Sequence, residues 1–148
     1  MHQRVHAEEI LVWAGVMIAL TLPYPISSNR YWRSFVPKGW TRAVVSLSDE
    51  AKAYKSHVGW LAKAQGCKVP MTGPIEISLK LVPINRRRID LSNCWKVAED
   101  ALQGIAFGND SQVVKLTAEL VEPDGKGALI VRISEFVPAP APLFANAA

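Results

Sequence analysis

The run Arg86-Arg87-Arg88-Ile89-Asp90-Leu91-Ser92-Asn93-Cys94-Trp95-Lys96 gathers most of the side chains in this chain that could do chemistry. A second acid, Asp110, follows Gly108-Asn109. Two carboxylates at junctions between loops and regular elements, with a lysine near them, can hold a hard cation through oxygen. Such a cation stays open to water and to a phosphate. The same residues also suit a purely structural arrangement, in which Asp90 caps a helix and Asp110 sits in a turn. Spacing alone does not separate the two readings.

For these residues to meet, a strand must feed the basic loop and a helix must leave it. Ile75 to Val82 alternates apolar residues at 75, 77, 79 and 81 with polar ones at 76, 78 and 80, which predicts a strand with one face in the core. Asn93 to Gln103 predicts a helix, because Cys94, Val97, Ala98, Ala101 and Leu102 form a single stripe and Gly104 closes it. On a 3.6-residue wheel with Asn93 at the origin, Lys96 falls at about 300° and Asp100 at about 340°, while the stripe centres at about 100°. Asn93, Lys96 and Asp100 therefore share the face turned away from the core.

The flanking chain predicts the remaining layers. Met17 to Pro23 reads as a strand ended by Pro23 and Pro25. Ile26 to Arg33 reads as a polar, aromatic loop and Phe35 to Ser48 as a short hairpin. Ser48 caps a helix that carries Asp49 and Glu50 in its first turn and runs from Ala51 to Gln65, where Gly66 stops it. Its buried face is Ala51, Tyr54, Val58, Leu61 and Ala62. Ser111 to Val121 and Ala128 to Val137 read as two strands joined by the turn Pro123-Asp124-Gly125-Lys126-Gly127. The order strand, helix, strand, helix, strand, strand predicts an α+β fold: a mixed sheet with two main helices, covered mainly on one face.

Composition narrows the function classes. Hydrophobic residues make up 49% and charged residues 20%, which is a globular and not a disordered balance. Residues 30–88 hold twelve Lys/Arg against three acids, whereas residues 89–148 hold four against eight. A basic half joined to an acidic half is expected of a chain that grips a polyanion and also holds a cation. Cys67 and Cys94 are the only cysteines and have no zinc-site or disulfide spacing, so they read as reduced thiols. Ile10 to Leu22 is apolar but shorter than the roughly 20 residues a bilayer needs. Glu8 and Glu9 stand where a signal peptide wants positive charge. The expectation is a cytoplasmic protein with no membrane anchor.

Leu22-Pro23-Tyr24-Pro25-Ile26-Ser27-Ser28-Asn29-Arg30-Tyr31-Trp32-Arg33 resembles the proline-rich opening of the RusA endodeoxyribonucleases, the Holliday-junction resolvases. The arginine run through Asp90, Ser92 and Asn93 resembles their central motif. So do Lys96, then Asp100 to Gly104, then Asn109-Asp110-Ser111-Gln112-Val113, in the same order and at the same spacing. The resemblance implies a homodimeric α+β fold that binds four-way junctions and nicks opposing strands by magnesium-dependent hydrolysis. It makes Asp90 and Asp110 the acidic residues of the site and Lys96 its basic residue. Its cofactor would be Mg2+, and its partners branched DNA and a second copy of the chain. Arg30, Arg33, Arg86, Arg87 and Arg88 would hold backbone phosphates. Tyr31 and Trp32 would either stack on bases opened at the crossover or anchor their loop by packing. Residues 17–136 would form the nuclease domain, residues 1–16 a dispensable extension and residues 137–148 a Pro/Ala-rich extended tail.

Two positions depart from the pattern. The family's motif is usually Asp-x-Asp-Asn, and here Ser92 replaces the second acid. The later pair is usually Asp-Asp, and here Asn109 replaces the first. Ser92 can still ligate a cation through its hydroxyl or orient a water, but it brings no charge. Glu99 and Asp100 stand further along the helix and could make up the deficit, although Glu99 reads as a solvated surface acid. Two other functions stay open. One is a structure-selective DNA-binding protein that has lost catalysis at Ser92. The other is an RNA-acting or unrelated phosphodiesterase that reuses the same carboxylates.

Overall fold

The computed structural model describes residues 16–139. The expected extension over 1–16 and the tail over 137–148 fall almost wholly outside them. The elements in chain order are β1 (Met17–Leu22), α1 (Ser28–Tyr31), β2 (Trp32–Phe35), β3 (Val44–Leu47), α2 (Asp49–Ala64), β4 (Ile75–Val82), α3 (Leu91–Leu102), a 3-10 turn at Asp110–Gln112, β5 (Val113–Leu120) and β6 (Ala128–Glu135).

Strands β1, β6, β4 and β5 form one sheet in that order, and β2 and β3 form a separate two-stranded ribbon. β4 runs parallel to β5 and antiparallel to β6, and β6 runs antiparallel to β1, so the sheet is mixed as expected. The period-two pattern of β4 decides which face meets the helices. Ile75, Ile77, Leu79 and Leu81 are buried with Leu129, Val131 and Ile133 of β6 and Leu20 and Leu22 of β1. Ala51, Tyr54, Val58 and Ala62 of α2 and Val97, Ala98, Ala101 and Leu102 of α3 complete this core. No charged residue is buried among the described residues, so the acids, lysines and arginines all lie at or near the surface.

The two main helices follow their caps. The Ser48 hydroxyl accepts from the Ala51 N–H at 3.0 Å and donates to the Arg30 carbonyl at 2.6 Å, which fastens α1 to the mouth of α2 while starting the helix. Gly66 and Gly104 follow the helix ends at φ +114° and +82°, a region that glycine enters without a Cβ clash.

Three boundaries differ from the sequence reading. α3 begins two residues early, at Leu91, because Asp90 and not a later residue is its cap. The segment read as a loop contains α1 and the start of β2, since Tyr31 is drawn fully into the core and its neighbour Trp32 pairs with Leu47 across the ribbon. The strand expected from Ser111 starts at Val113, after the 3-10 turn.

Candidate active site

α3 is the element on which the site is built. At its mouth, Asp90 Oδ1 accepts from the N–H of Ser92 at 3.0 Å, the N–H of Asn93 at 3.3 Å and the hydroxyl of Ser92 at 2.6 Å. Its Oδ2 accepts from Asn93 Nδ2 at 2.9 Å. The Ser92 hydroxyl, together with the Asn93 and Ser92 N–H groups and the charge of Lys96, holds the Asp90 carboxyl below the usual carboxylate range. Asp90 is thus both the helix cap and an exposed, firmly ionised carboxylate. Asn93 and Ser92 aim it, and Lys96 stands exposed one turn on, without an ion pair among the described residues.

The 3-10 turn presents Asp110. The Asn109 side chain accepts from the Ser111 N–H at 2.9 Å, while Gln112 Oε1 accepts from the N–H groups of Gly108 and Asn109, both at 2.8 Å. Gln112 Nε2 donates to the carbonyls of Met71 and Gly73, so the turn is anchored to the chain ahead of β4. Asparagine caps about as well as aspartate, so the departure at Asn109 leaves the local geometry served. Asp110 itself is exposed and makes no side-chain hydrogen bond or ion pair among the described residues.

The other acids of α3 separate into two roles. Asp100 does not stand free on the polar face. It accepts from the hydroxyl of buried Tyr31, and Lys55 Nζ lies 3.3 Å from the same oxygen, Oδ2. This three-residue clamp joins α1, α2 and α3. Glu99 departs from its reading as a solvated acid: it is half-buried, and burial first, then Asp110 and Asp100, push its carboxyl above the usual range. A helix wheel places Glu99 beside Lys96, but only the approach of the 3-10 turn to α3 makes Asp110 its neighbour.

Arg88 lines a groove of about 220 Å³ with Ile89, Asp90 and Asn93 on one wall and Tyr24 to Ser28 on the other. The proline-rich opening and the central motif, some sixty residues apart in the chain, meet there. Arg86 turns elsewhere, toward Glu122 at 2.9 Å, and with Arg87 borders a separate depression beside the end of β5. Arg30 pairs with Glu50 at 3.0 Å, and Arg33 is exposed on β2. Of the five arginines, Arg88 is the one beside Asp90. Trp32 is half exposed, whereas Tyr31 is fully buried and serves packing.

The profile of the endodeoxyribonuclease RusA family matches residues 23–134. This chain belongs to that family. The crossover junction endodeoxyribonuclease RusA of Escherichia coli (strain K12) is 32% identical over 118 residues, covering 79% of this chain and 93% of that protein. The protein of the same name from Enterobacteria phage 82 is 32% identical over 117 residues, with 78% and 92% covered. The one from Shigella sonnei (strain Ss046) matches at 32% over 118 residues, with 79% and 93% covered. The α+β architecture, with its mixed sheet, is the expected one for a RusA chain.

A nuclease of this family implies a divalent cation. Among the described residues no group of three or more His, Cys, Asp or Glu side chains is gathered to enclose one. The donors present are nevertheless hard oxygens. Asp110 is free, Asp90 Oδ2 carries a single hydrogen bond, and the Ser92 hydroxyl spends its proton on Asp90 and keeps its lone pairs. A sparse, exposed oxygen set suits a hard divalent cation that keeps several waters and shares the rest of its shell with substrate phosphate.

Proposed function

We propose that this chain is a magnesium-dependent endonuclease that resolves Holliday junctions by paired symmetric nicks, acting as a homodimer in the cytoplasm on recombining or repairing DNA. The observation that carries the reading is the arrangement around α3. An ionised cap, Asp90, stands beside an unpaired Lys96 and the groove arginine Arg88, and an unpaired Asp110 lies across from Glu99 on the same helix. Charged groups left without partners on the surface contribute little to folding, and their gathering around one helix is a reason to assign them to a ligand. No helix among the described residues is long and apolar enough to cross a membrane.

In this mechanism Arg88, with Arg33 and Arg87, holds backbone phosphates, which sets orientation without reading sequence. Arg30 and Arg86 join them by exchanging Glu50 and Glu122 for phosphate. Asp90, Asp110 and the Ser92 hydroxyl are the residues that would hold the cation. The chemistry that a bound magnesium ion supplies is polarisation of the scissile phosphodiester and activation of the attacking water. Asn93 and the N–H groups at the mouth of α3 keep Asp90 ionised and aimed throughout. Lys96 stabilises the negative charge that develops on the phosphoryl oxygens. A second copy supplies the second nick, because a four-way junction has near two-fold symmetry and a closed dimer matches it. The working unit is residues 17–136; deleting residues 1–16 leaves folding and junction binding intact.

The test is cleavage of a synthetic four-way junction, with linear duplex and RNA as competitors. Paired nicks that require magnesium and vanish in Asp110→Asn support the reading. Tight junction binding with no nick at any magnesium concentration replaces it with a binder disarmed at Ser92. Preferential competition by RNA moves the substrate class.

A further inference from the structure

The four-stranded sheet has two free edges, and the chain treats them differently. On the β1 edge, Gln65 Oε1 accepts from the Thr21 N–H at 2.8 Å and Gln65 Nε2 donates to the Thr21 carbonyl at 2.9 Å. A side-chain amide there occupies backbone groups on which another strand would build. The β5 edge has no such cover among the described residues, and every residue from Val114 to Leu120 is exposed. A bare edge strand is a template for another strand.

β5 is also apolar where a sheet surface should be covered. The parallel register sets Leu116 beside Ile77, Ala118 beside Leu79 and Leu120 beside Leu81, all on the face that the helices cover. Yet Leu116 is 41% and Leu120 46% exposed, against 1% for Ile77 and Leu81. α3 touches β5 but does not cover it, and these two side chains stay open. On the opposite face β5 carries Lys115, Thr117 and Glu119.

We propose that β5 is the surface on which two copies of this chain join, their β5 strands pairing antiparallel about a two-fold axis through Thr117. The proposal rests on the homodimeric reading above and supplies its interface. In an antiparallel self-pairing, facing residues share a constant, even sum of numbers, because both members of a facing pair must direct their backbone groups alike. Centring the axis on Thr117 sets Lys115 against Glu119 twice, Leu116 against Ala118 twice and Val114 against Leu120. Centring it on Leu116 sets Lys115 against Thr117 and Glu119 against Val113, and centring it on Ala118 leaves both charges equally unmatched. Thr117 is the centre at which the strand is complementary to itself in charge.

The neighbouring strand extends that match. Lys115 lies 3.3 Å from Glu76, and Glu119 lies 3.8 Å from Lys80, both pairs bridging β4 and β5 on the same face. Across the axis the row becomes Glu76, Lys115, then Glu119 and Lys80 of the second copy, alternating in sign throughout. Opposite charges facing across strands stabilise a sheet, and the apolar row on the other face closes over Leu116, Ala118 and Leu120 of both copies.

The pairing has a consequence for the site. Edge-to-edge joining keeps each face on its own side, so both α3 helices lie on one side of the joined sheet. Asp110 immediately precedes β5, which puts the two copies of the turn at opposite ends of the paired strands. Val113 of one copy faces Val121 of the other, so the two Val113 residues stand roughly 27 Å apart at 3.4 Å per residue. Two sites on one side, separated on that scale and related by a two-fold axis, are what one junction with two opposed scissile strands requires.

The test uses the full chain and three variants. Thr117→Cys faces itself in this register, so mild oxidation should convert most of it to a covalent dimer that reductant reverses; Cβ atoms of facing residues lie near disulfide reach. Lys115→Cys, which faces Glu119, should not cross-link beyond the wild-type background from Cys67 and Cys94. Leu116→Arg should halve the mass measured by light scattering at micromolar protein, with an unchanged far-ultraviolet circular dichroism spectrum. A monomeric wild type would overturn the homodimer and this interface with it. A dimeric wild type whose Thr117→Cys form does not cross-link, and whose Leu116→Arg form stays dimeric, would overturn the β5 interface alone.

Discussion

Tyr31 is the point at which the proline-rich segment is fastened to α3, and Tyr31→Phe isolates that fastening. The ring is fully buried, and its hydroxyl donates to Asp100 Oδ2, which Lys55 also reaches at 3.3 Å. The substitution deletes one hydroxyl and leaves the packing. A hydrogen bond to a charged acceptor contributes about 1.5–3 kcal/mol. The Asp100 side chain is 30% exposed, so water and Lys55 take up part of the loss. The lower end applies, about 1.5 kcal/mol. For a chain of this size each kcal/mol moves the melting temperature by about 2–4 °C, so the expected fall is about 3–6 °C. Tyr31→Ala empties a buried ring site as well and should destabilise by about 3–5 kcal/mol, which separates packing from the bond. The assay is thermal unfolding at neutral pH followed by circular dichroism, with junction binding measured in parallel at room temperature. Binding should persist in Tyr31→Phe, because a loss of this size leaves the folded state dominant. A shift below about 1 °C would refute the reasoning and show that Lys55 alone holds Asp100.

Further outcomes follow from the same geometry. Ser92→Asp should lower the magnesium concentration needed for half-maximal junction cleavage, while Ser92→Ala removes only a modest part of the activity; an identical magnesium dependence for both and for wild type would show that position 92 does not face the cation. Asp90→Asn and Asp110→Asn should each abolish cleavage yet keep or tighten junction binding, since each removes negative charge near DNA, and wild-type cleavage by either would break the assignment. In salt titrations of junction affinity, Arg88→Ala should reduce the slope by about one, and Arg30→Ala and Arg86→Ala by less because Glu50 and Glu122 already partner them; equal slopes for all three would count against the arrangement. Burial, with the Asp100 bond at Tyr31, raises the hydroxyl pKa of Tyr31 and Tyr54 above the ordinary value of about 10. Their contribution to stability is therefore complete below about pH 10 and is lost as pH climbs past it, because the unfolded tyrosines ionise first; denaturant midpoints that hold flat through that range would contradict this.

What could be read from the chain was local. The period-two run of β4, the stripe of α3, the Ser48 cap and the glycines that end both main helices each depend on residues a few positions apart. Their physics is complete within the segment. From spacing alone, Asp90 suits either a helix cap or a cation ligand. The cap is present, and its hydrogen bonds leave the carboxylate exposed and ionised, so capping does not exclude a ligand role. The polar, aromatic composition of Ile26 to Arg33 predicts a loop and not α1, because it says nothing of which ring the core will accept.

Sequence by itself determined the order and type of the four sheet strands and two main helices, the α+β class and the residues at the mouth of α3. These follow from periodicity, caps and spacing along one strand of covalent bonds. Tertiary structure alone decided which charges stay free. Arg30 meets Glu50, Arg86 meets Glu122, Asp100 meets Tyr31 and Lys55, while Lys96 and Asp110 meet no partner side chain among the described residues. It also decided that Glu99 lies near Asp110 and that β5 ends as an uncovered apolar edge. Residue type sets the charge or apolar surface a position brings. Which neighbour arrives depends on surfaces from distant parts of the chain packing together, and the spacing of residues in sequence does not encode that approach.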